Sequence, residues 1–311
     1  MGEDRCSDLD APCCWRPSCA PDSLRIVDFM KLIETKYSVT FDNDYWSFHR
    51  WSCDNYAEFW DELLHFADVI YTGSCETVVD KSKSISDIPR WFEGMRLNYA
   101  ENLLGKGRDD DPALFFAGEK TGGKAQRLTF RELRHQVTLY AAALRNFGVQ
   151  KGDRVAGYVP NCFEAVIAML ATASLGAVWS SSSPDFGVSG VLDRLSQVQP
   201  KILFTVEAVR YNGKRHDHLE KTRMVVEKLK KLERLIIIPF LNDDPELMDT
   251  DLSNVPLSIS LSEFLAVGQA GSVDSAGDGL KFTQVSFHDP LFIMFSSGTT
   301  GPPKCMVHSV G

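Results

Sequence analysis

The chain has 311 residues, 44% hydrophobic and 24% charged, with 33 basic against 42 acidic side chains and a net charge of −9. Those proportions belong to a globular protein of one large or two smaller domains. The acidic balance argues against a general binder of nucleic acid or anionic membrane, and no apolar run approaches the roughly 18 residues a membrane span needs.

The opening stretch, MGEDRCSDLDAPCCWRPSC, has no apolar core and does not read as a secretory signal. Gly2 invites a myristoylation reading, but Cys6 stands where that motif needs Ser or Thr. Of the eight cysteines, Cys6, Cys13, Cys14 and Cys19 crowd this stretch with no histidine among them, while Cys53, Cys75, Cys162 and Cys305 are scattered. A tail of free thiols fits this better than a zinc site, whose ligands come in paired short spacings. The expected compartment is the reducing cytosol.

Residues 22–37 set Leu24, Val27, Phe29, Leu32 and Ile33 at helical spacing. Residues 45–60 are rich in aromatics, with Trp46, Phe48, Trp51, Tyr56, Phe59 and Trp60, a pattern of core packing. Ser52 ahead of residues 54–64 marks an expected helix start. Residues 105–112, GKGRDDDP, form a polar break and a candidate domain boundary. Two short strands follow, 113–117 and 126–128, around a Gly122-Gly123 turn. Thr129 with Glu132 makes a capping box. Beyond it, Leu133, Val137, Tyr140, Ala141, Leu144 and Phe147 line one helical face that Gly148 ends.

From there the pattern alternates. Strands are expected at 154–159, 177–180, 202–206 and 235–238, and helices at 163–175, 188–198 and 219–232. Repetition of this kind predicts an α/β fold, a mostly parallel sheet flanked by helices. Residues 243–251 and 270–279 read as acidic or Gly/Ser-rich surface loops. His216, His218 and His308 show no triad spacing and read as surface or packing residues.

Residues 291–308, LFIMFSSGTTGPPKCMVH, join an apolar strand, 291–295, to a loop of small hydroxyl residues and glycines. Ligands of open α/β sheets sit beyond the carboxyl ends of strands, and such a loop exposes backbone N–H donors there. Gly298 and Gly301 let the backbone turn closely, the hydroxyls add donors, and Lys304 adds a mobile charge. That set suits a polyphosphate. It departs from the common phosphate loop, because Pro302 and Pro303 stand between the last glycine and the lysine. Its composition alone also fits a surface turn.

The whole string from Ser296 to Lys304, placed directly after a strand, resembles the ATP-phosphate loop of the adenylate-forming enzymes. Two further stretches, WFEGMRLNYAENLL and SSSPDFGVSGVLDRLSQVQPKILFTVEAVRYNGK, narrow the resemblance to the acetoacetyl-CoA synthetase family, from about Tyr45 to Gly311. The resemblance implies an acid–CoA ligase with ATP, Mg2+ and coenzyme A as cofactors or co-substrates. Acetoacetate would attack the α-phosphorus of ATP to give an acyl adenylate and pyrophosphate, and the CoA thiol would then displace AMP. Acetate or another short acid is an alternative substrate. Implied ATP-phosphate residues are Ser296, Ser297, Gly298, Thr299, Thr300, Gly301 and Lys304, with Lys304 catalytic. Implied CoA residues are Phe186, Gly187, Arg194 and Lys214. Arg210 reads as a solvated charge, and no metal ligand is assigned. The partners implied are small molecules, with no nucleic acid and no membrane span, and nothing sets an oligomeric state.

The resemblance also implies the domain plan. Residues 1–40 would be a divergent, partly disordered tail. Residues 41–104 would be the N-terminal extension of the acetyl-CoA synthetase branch, lying along the large domain and carrying no chemistry. Residues 105–311 would be the first part of an AMP-binding domain of the adenylate-forming fold, incomplete after the phosphate loop. On that plan the later sheet strands, the adenine and ribose contacts and the magnesium motif are missing. The chain alone would then be inactive, with an exposed sheet edge, and a non-catalytic product acting through interaction is a competing reading. A kinase fragment is a third, but no kinase motif for base or metal carboxylates is present.

Overall fold

Strands whose residues are all apolar are buried on both faces. Residues 235–238 are of this kind, 202–206 are apolar but for Thr205, and both stretches are buried. The computed structural model describes residues 18, 20–241, 252–272, 279–296 and 301–311. Contacts divide the chain into two units, one of Met1–Val69 with Ser74–Glu93, the other of Ile70–Gly73 with Gly94–Gly311.

The first unit is built on α1 (Arg25–Tyr37), α2 (Tyr45–Asp54) and α3 (Tyr56–Phe66). Phe29, Met30, Ile33, Phe41 and Phe48 form its core. Phe29 meets Phe48 and Phe59 edge to face, with ring centroids 5.9 and 5.6 Å apart. The aromatic stretch therefore packs, as its composition predicts. Its helix start is earlier than Ser52. Asp44 caps α2 by accepting from the N–H groups of Trp46 and Ser47, and Asn55 separates α2 from α3. Ser52 lies inside α2 and donates its hydroxyl to the His49 carbonyl at 2.7 Å.

The second unit starts with β1 (Tyr71–Thr72), β2 (Arg96–Leu97) and α4 (Tyr99–Leu104). The antiparallel hairpin β3 (Pro112–Phe116) and β4 (Gln126–Thr129) follows, then α5 (Phe130–Asn146), with the capping box of Thr129 and Glu132 formed. The alternation continues through β5 (Arg154–Tyr158), α6 (Phe163–Ser174), β6 (Val178–Ser182), α7 (Val188–Val198) and β7 (Ile202–Val206). A hairpin, β8 (Ala208–Tyr211) and β9 (Lys214–Asp217), precedes α8 (Leu219–Val226) and β10 (Arg234–Ile238). The chain then forms β11 (Ser258–Ser260), α9 (Leu261–Ser272), β12 (Val285–Ser286), β13 (Pro290–Ser296) and β14 (Lys304–Ser309).

The main sheet has seven strands in the order β11-β10-β7-β5-β6-β13-β14. Every pairing is parallel except that of β14 with β13. Successive residues of the central strands point to opposite faces. Ile202, Phe204, Ile236 and Ile238 join the core under α5, α6 and α9, whereas Leu203, Leu235 and Ile237 join the core under α7 and α8.

Two helices differ from the pattern. α8 ends at Val226 rather than at Leu232. Lys228 and Leu229 bond back three residues, to Val225 and Val226, and these tight turns bury Leu229 and Leu232. α9 runs to Ser272, into the segment expected to be a loop from residue 270. Of the expected loop 243–251, all residues lie outside the described ones. Among the cysteines, Cys53, Cys75, Cys162 and Cys305 are free, while Cys6, Cys13, Cys14 and Cys19 lie outside the described residues.

Candidate functional site

Because β5, β6, β7, β10 and β13 run parallel, their last residues, Tyr158, Ser182, Val206, Ile238 and Ser296, share one edge of the sheet. β14 returns from that edge, so its first residue, Lys304, pairs with Ser296. The ends of the expected phosphate loop are thus brought face to face. Ser297, Gly298, Thr299 and Thr300 lie outside the described residues. Gly301 has a φ of 105°, a left-handed value that favours glycine. Lys304 is exposed, and among the described residues no carboxylate pairs with it.

Gly187 caps the start of α7, and a Cβ placed on it would meet nothing within 4 Å. The Arg194 guanidinium lies 4.0 Å above the Phe186 ring and 5.8 Å from the ring of Phe295, the residue before Ser296. Its Nη1 donates to the Gly190 carbonyl at 2.6 Å. Three residues expected near CoA are therefore neighbours, and Arg194 ties them to the end of β13. That tie was invisible in the sequence, where Arg194 and Phe295 are a hundred positions apart.

Lys214 stands elsewhere, at the start of β9, paired with Tyr211 across the Asn212-Gly213 turn. No described contact joins it to Phe186, Gly187 or Arg194. The turn has φ values of 51° and 73° at its two central residues. Both of their N–H groups donate to the Glu119 carboxylate, at 2.7 and 2.8 Å. Those two bonds, with the Arg210 charge behind them, hold the Glu119 carboxyl below the usual carboxylate range. The turn is thus a two-donor seat filled by an internal anion.

Behind Phe186 sits a residue that sequence reasoning missed. Tyr158 ends β5, fully buried, and its hydroxyl donates to the Phe186 carbonyl at 2.6 Å. Burial, helped by Asp185, pushes this phenol up to about 12. Its ring lies 5.4 Å from that of His218. Burial also pushes His218 down to about 4, with Lys221 and His216 adding repulsion. His218 is therefore a neutral packing residue, while His216 and His308 are exposed. The one available signal for Tyr158 was a polar tip closing a strand that is apolar after Arg154.

On the opposite face, Phe116, Val159, Asn161, Phe163, Trp179 and Ser181 border a cavity of about 320 Å³. It is largely apolar and opens at the same sheet edge. Burial, helped by Glu164, pushes the adjoining Cys162 thiol well above its ordinary range, so it is an inert core thiol. Among the described residues no group of three ligating side chains is placed to hold a metal ion. No helix among them is long and apolar enough to cross a membrane.

A strand-ending hydroxyl opposite an unpaired lysine, on the carboxyl edge of a parallel sheet, is the geometry on which comparison with known proteins bears. Residues 104–311 match the family model described as AMP-binding enzyme, and residues 45–103 match the acetyl-coenzyme A synthetase N-terminus. The chain belongs to the AMP-binding enzyme family. Acetoacetyl-CoA synthetase of Danio rerio is 50% identical over 94% of this chain and 42% of its own length. Malonamoyl-CoA synthetase of Penicillium aethiopicum is 37% identical over 94% of this chain and 40% of its own. The solved acetoacetyl-CoA synthetase from Streptomyces lividans superimposes with a TM-score of 0.80 at 36% identity, covering 94% of this chain and 42% of that one. The chain thus spans less than half the length of each AMP-binding relative. The helix-flanked, mostly parallel sheet predicted from the sequence is the one this family shares.

Proposed function

We propose that this chain supplies the ATP-phosphate and part of the CoA contacts of an acetoacetate–CoA ligase of the cytosol. The observation that carries the reading is the strand register that sets Ser296 opposite Lys304, a lysine with no carboxylate partner among the described residues, across the two arms of the Gly/Ser/Thr loop. A carboxylate is a poor electrophile, and adenylation gives it a good leaving group. In that step negative charge grows on the departing pyrophosphate. Lys304, the Ser296 hydroxyl and the residues 297–301 meet that charge, which is where fixed donors lower a barrier most. Magnesium travels on the ATP phosphates and neutralises part of their charge. Phe186, Gly187 and Arg194 line the approach of the CoA thiol, with Lys214 as a more distant phosphate contact.

The likeness to acetoacetyl-CoA synthetases supports acetoacetate as the acid. The malonamoyl-CoA synthetase relative supports a second reading, in which the acid is another short one with a carbonyl at C3. ATP-dependent release of pyrophosphate by a form that also carries the rest of the AMP-binding domain, measured in parallel with acetoacetate, malonamate and acetate, tests both. Acetoacetate is expected to be fastest. A faster rate with acetate would reject the proposed substrate.

A further inference from the structure

Arg194 and Gln197 are three residues apart on α7, and so share one face of the helix. Arg194 reaches Phe295 at the end of β13. Gln197 reaches the other arm. Its Nε2 donates to the Pro303 carbonyl at 3.1 Å, and its Oε1 accepts from the Cys305 thiol at 3.4 Å. One side-chain amide therefore holds the residues on both sides of Lys304. No other described side chain is bonded to this segment.

β14 needs such a hold. Among the described residues it pairs with β13 alone, and all six of its residues are exposed. An edge strand with one neighbour and little buried surface opens at low cost. A lysine ammonium sits at the end of a flexible stem, so its reach is set by the backbone that carries it. Arg194 and Gln197 in turn belong to a helix anchored by Val191, Leu195 and Val198 in the core. The rigid part of the molecule is thereby connected to the first residue of β14.

We propose that α7 braces the β13–β14 hairpin, with Gln197 as a positioning residue for Lys304 and Arg194 holding Phe295 beside Ser296. The inference rests on the reading of Lys304 as a phosphate contact. It adds that the contact is set from a helix whose N-terminal end carries Phe186 and Gly187, the residues assigned to CoA.

The test uses Gln197→Met in the 311-residue chain, a side chain of similar length without the amide. Gln197 is exposed, so the variant is expected to fold. Two readouts need no ligand. Alkylation of Cys305, resolved by peptide mass, and amide exchange at residues 304–306 should both quicken about 3- to 10-fold, as expected for losing one or two hydrogen bonds. Alkylation of Cys53 should not change. Gln197→Glu keeps the acceptor for Cys305 but loses the donor to Pro303, and should fall between. Unchanged Cys305 alkylation and exchange in Gln197→Met would overturn the brace. ATP titration, in a form that also carries the rest of the AMP-binding domain, adds the functional arm. Gln197→Met should weaken ATP, yet add nothing in a Lys304→Ala background, because it acts through Lys304. Additive losses would overturn the positioning role. Absence of ATP binding by the wild type of that form would remove the phosphate reading, leaving the brace to be decided by exchange and alkylation.

Discussion

Lys304 begins β14, exposed and with no carboxylate on it among the described residues, and we propose that its charge meets the ATP phosphates. In a form that also carries the rest of the AMP-binding domain, Lys304→Ala is expected to slow pyrophosphate release about 10- to 1,000-fold, the range for removing one donor to developing charge. Thioester formation from preformed acyl adenylate should slow less, and equal losses in the two half-reactions would place Lys304 outside the first. His218 carries a different consequence. Its folded value, lowered to about 4 by burial and by Lys221 and His216, lies below that of the unfolded chain, while Asp185 and Asp217 oppose the shift. The unfolded chain therefore takes up a proton first. Stability should be level above about pH 6.5 and should fall as pH drops towards 4, by about 3 kcal/mol at most from this group. Chemical denaturation of wild type and His218→Gln between pH 4 and 7 checks it, and the variant should show the shallower slope. At this scale the sequence was informative about residue types. The order of Ser296, Gly301 and Lys304 carries the proposal of phosphate chemistry, while nothing near His218 or Tyr158 told which would be buried, because burial is decided by strands far away in the chain.

Among the elements, α4 shows how a short helix is fastened. Asn98 is fully buried and caps it, accepting from the N–H groups of Ala100 and Glu101. The same side chain donates to the carbonyls of Ala173 and Thr283, each at 2.9 Å. It thus stitches the end of α6 and the approach to β12 onto α4. Asn98→Ala should cost about 2–4 kcal/mol, since it removes a cap and strands buried carbonyls. Asn98→Asp should cost more, because a carboxylate cannot donate to them. Urea midpoints of the two variants give the comparison. Strong periodicity made α5 and α7 legible to within a residue or two. The hairpin of β8 and β9 escaped, although Asn212-Gly213 is a strong turn signal, because β9 is polar and exposed throughout and β8 offers only Ala208 and Val209 as apolar residues. α8 was read too long, since Leu229 and Leu232 keep a helical spacing while the backbone beneath them tightens.

For the whole molecule, the parallel sheet was foreseeable from strand–helix alternation. The return of β14 was not, because the short apolar run of Cys305, Met306 and Val307 follows the polar Gly/Pro loop with no strand–helix alternation to place it. Met306 and Val307 are 44% and 60% exposed on this edge strand. Exposed edges with apolar side chains invite pairing between chains. Val307→Lys is expected to reduce concentration-dependent self-association, measured by sedimentation, with unchanged helix content. Equal association in both proteins would show that this edge stays unpaired in solution.

The attachment of β13 also bears on the order in which the molecule assembles. β13 and β14 are joined by a short loop, so their hairpin can close on a scale of about 1–10 μs. Its link to the rest of the sheet is one aligned pair, Phe292 with Trp179, and a bond from the Ser180 hydroxyl to the Ile293 carbonyl, spanning 113 positions. Contacts across such a separation form only after a long loop has closed. The strands β5, β6, β7 and β10 would then condense first and the hairpin settle onto them last. Weakening that junction, for example by Ser180→Ala, should speed unfolding and leave the refolding rate nearly unchanged.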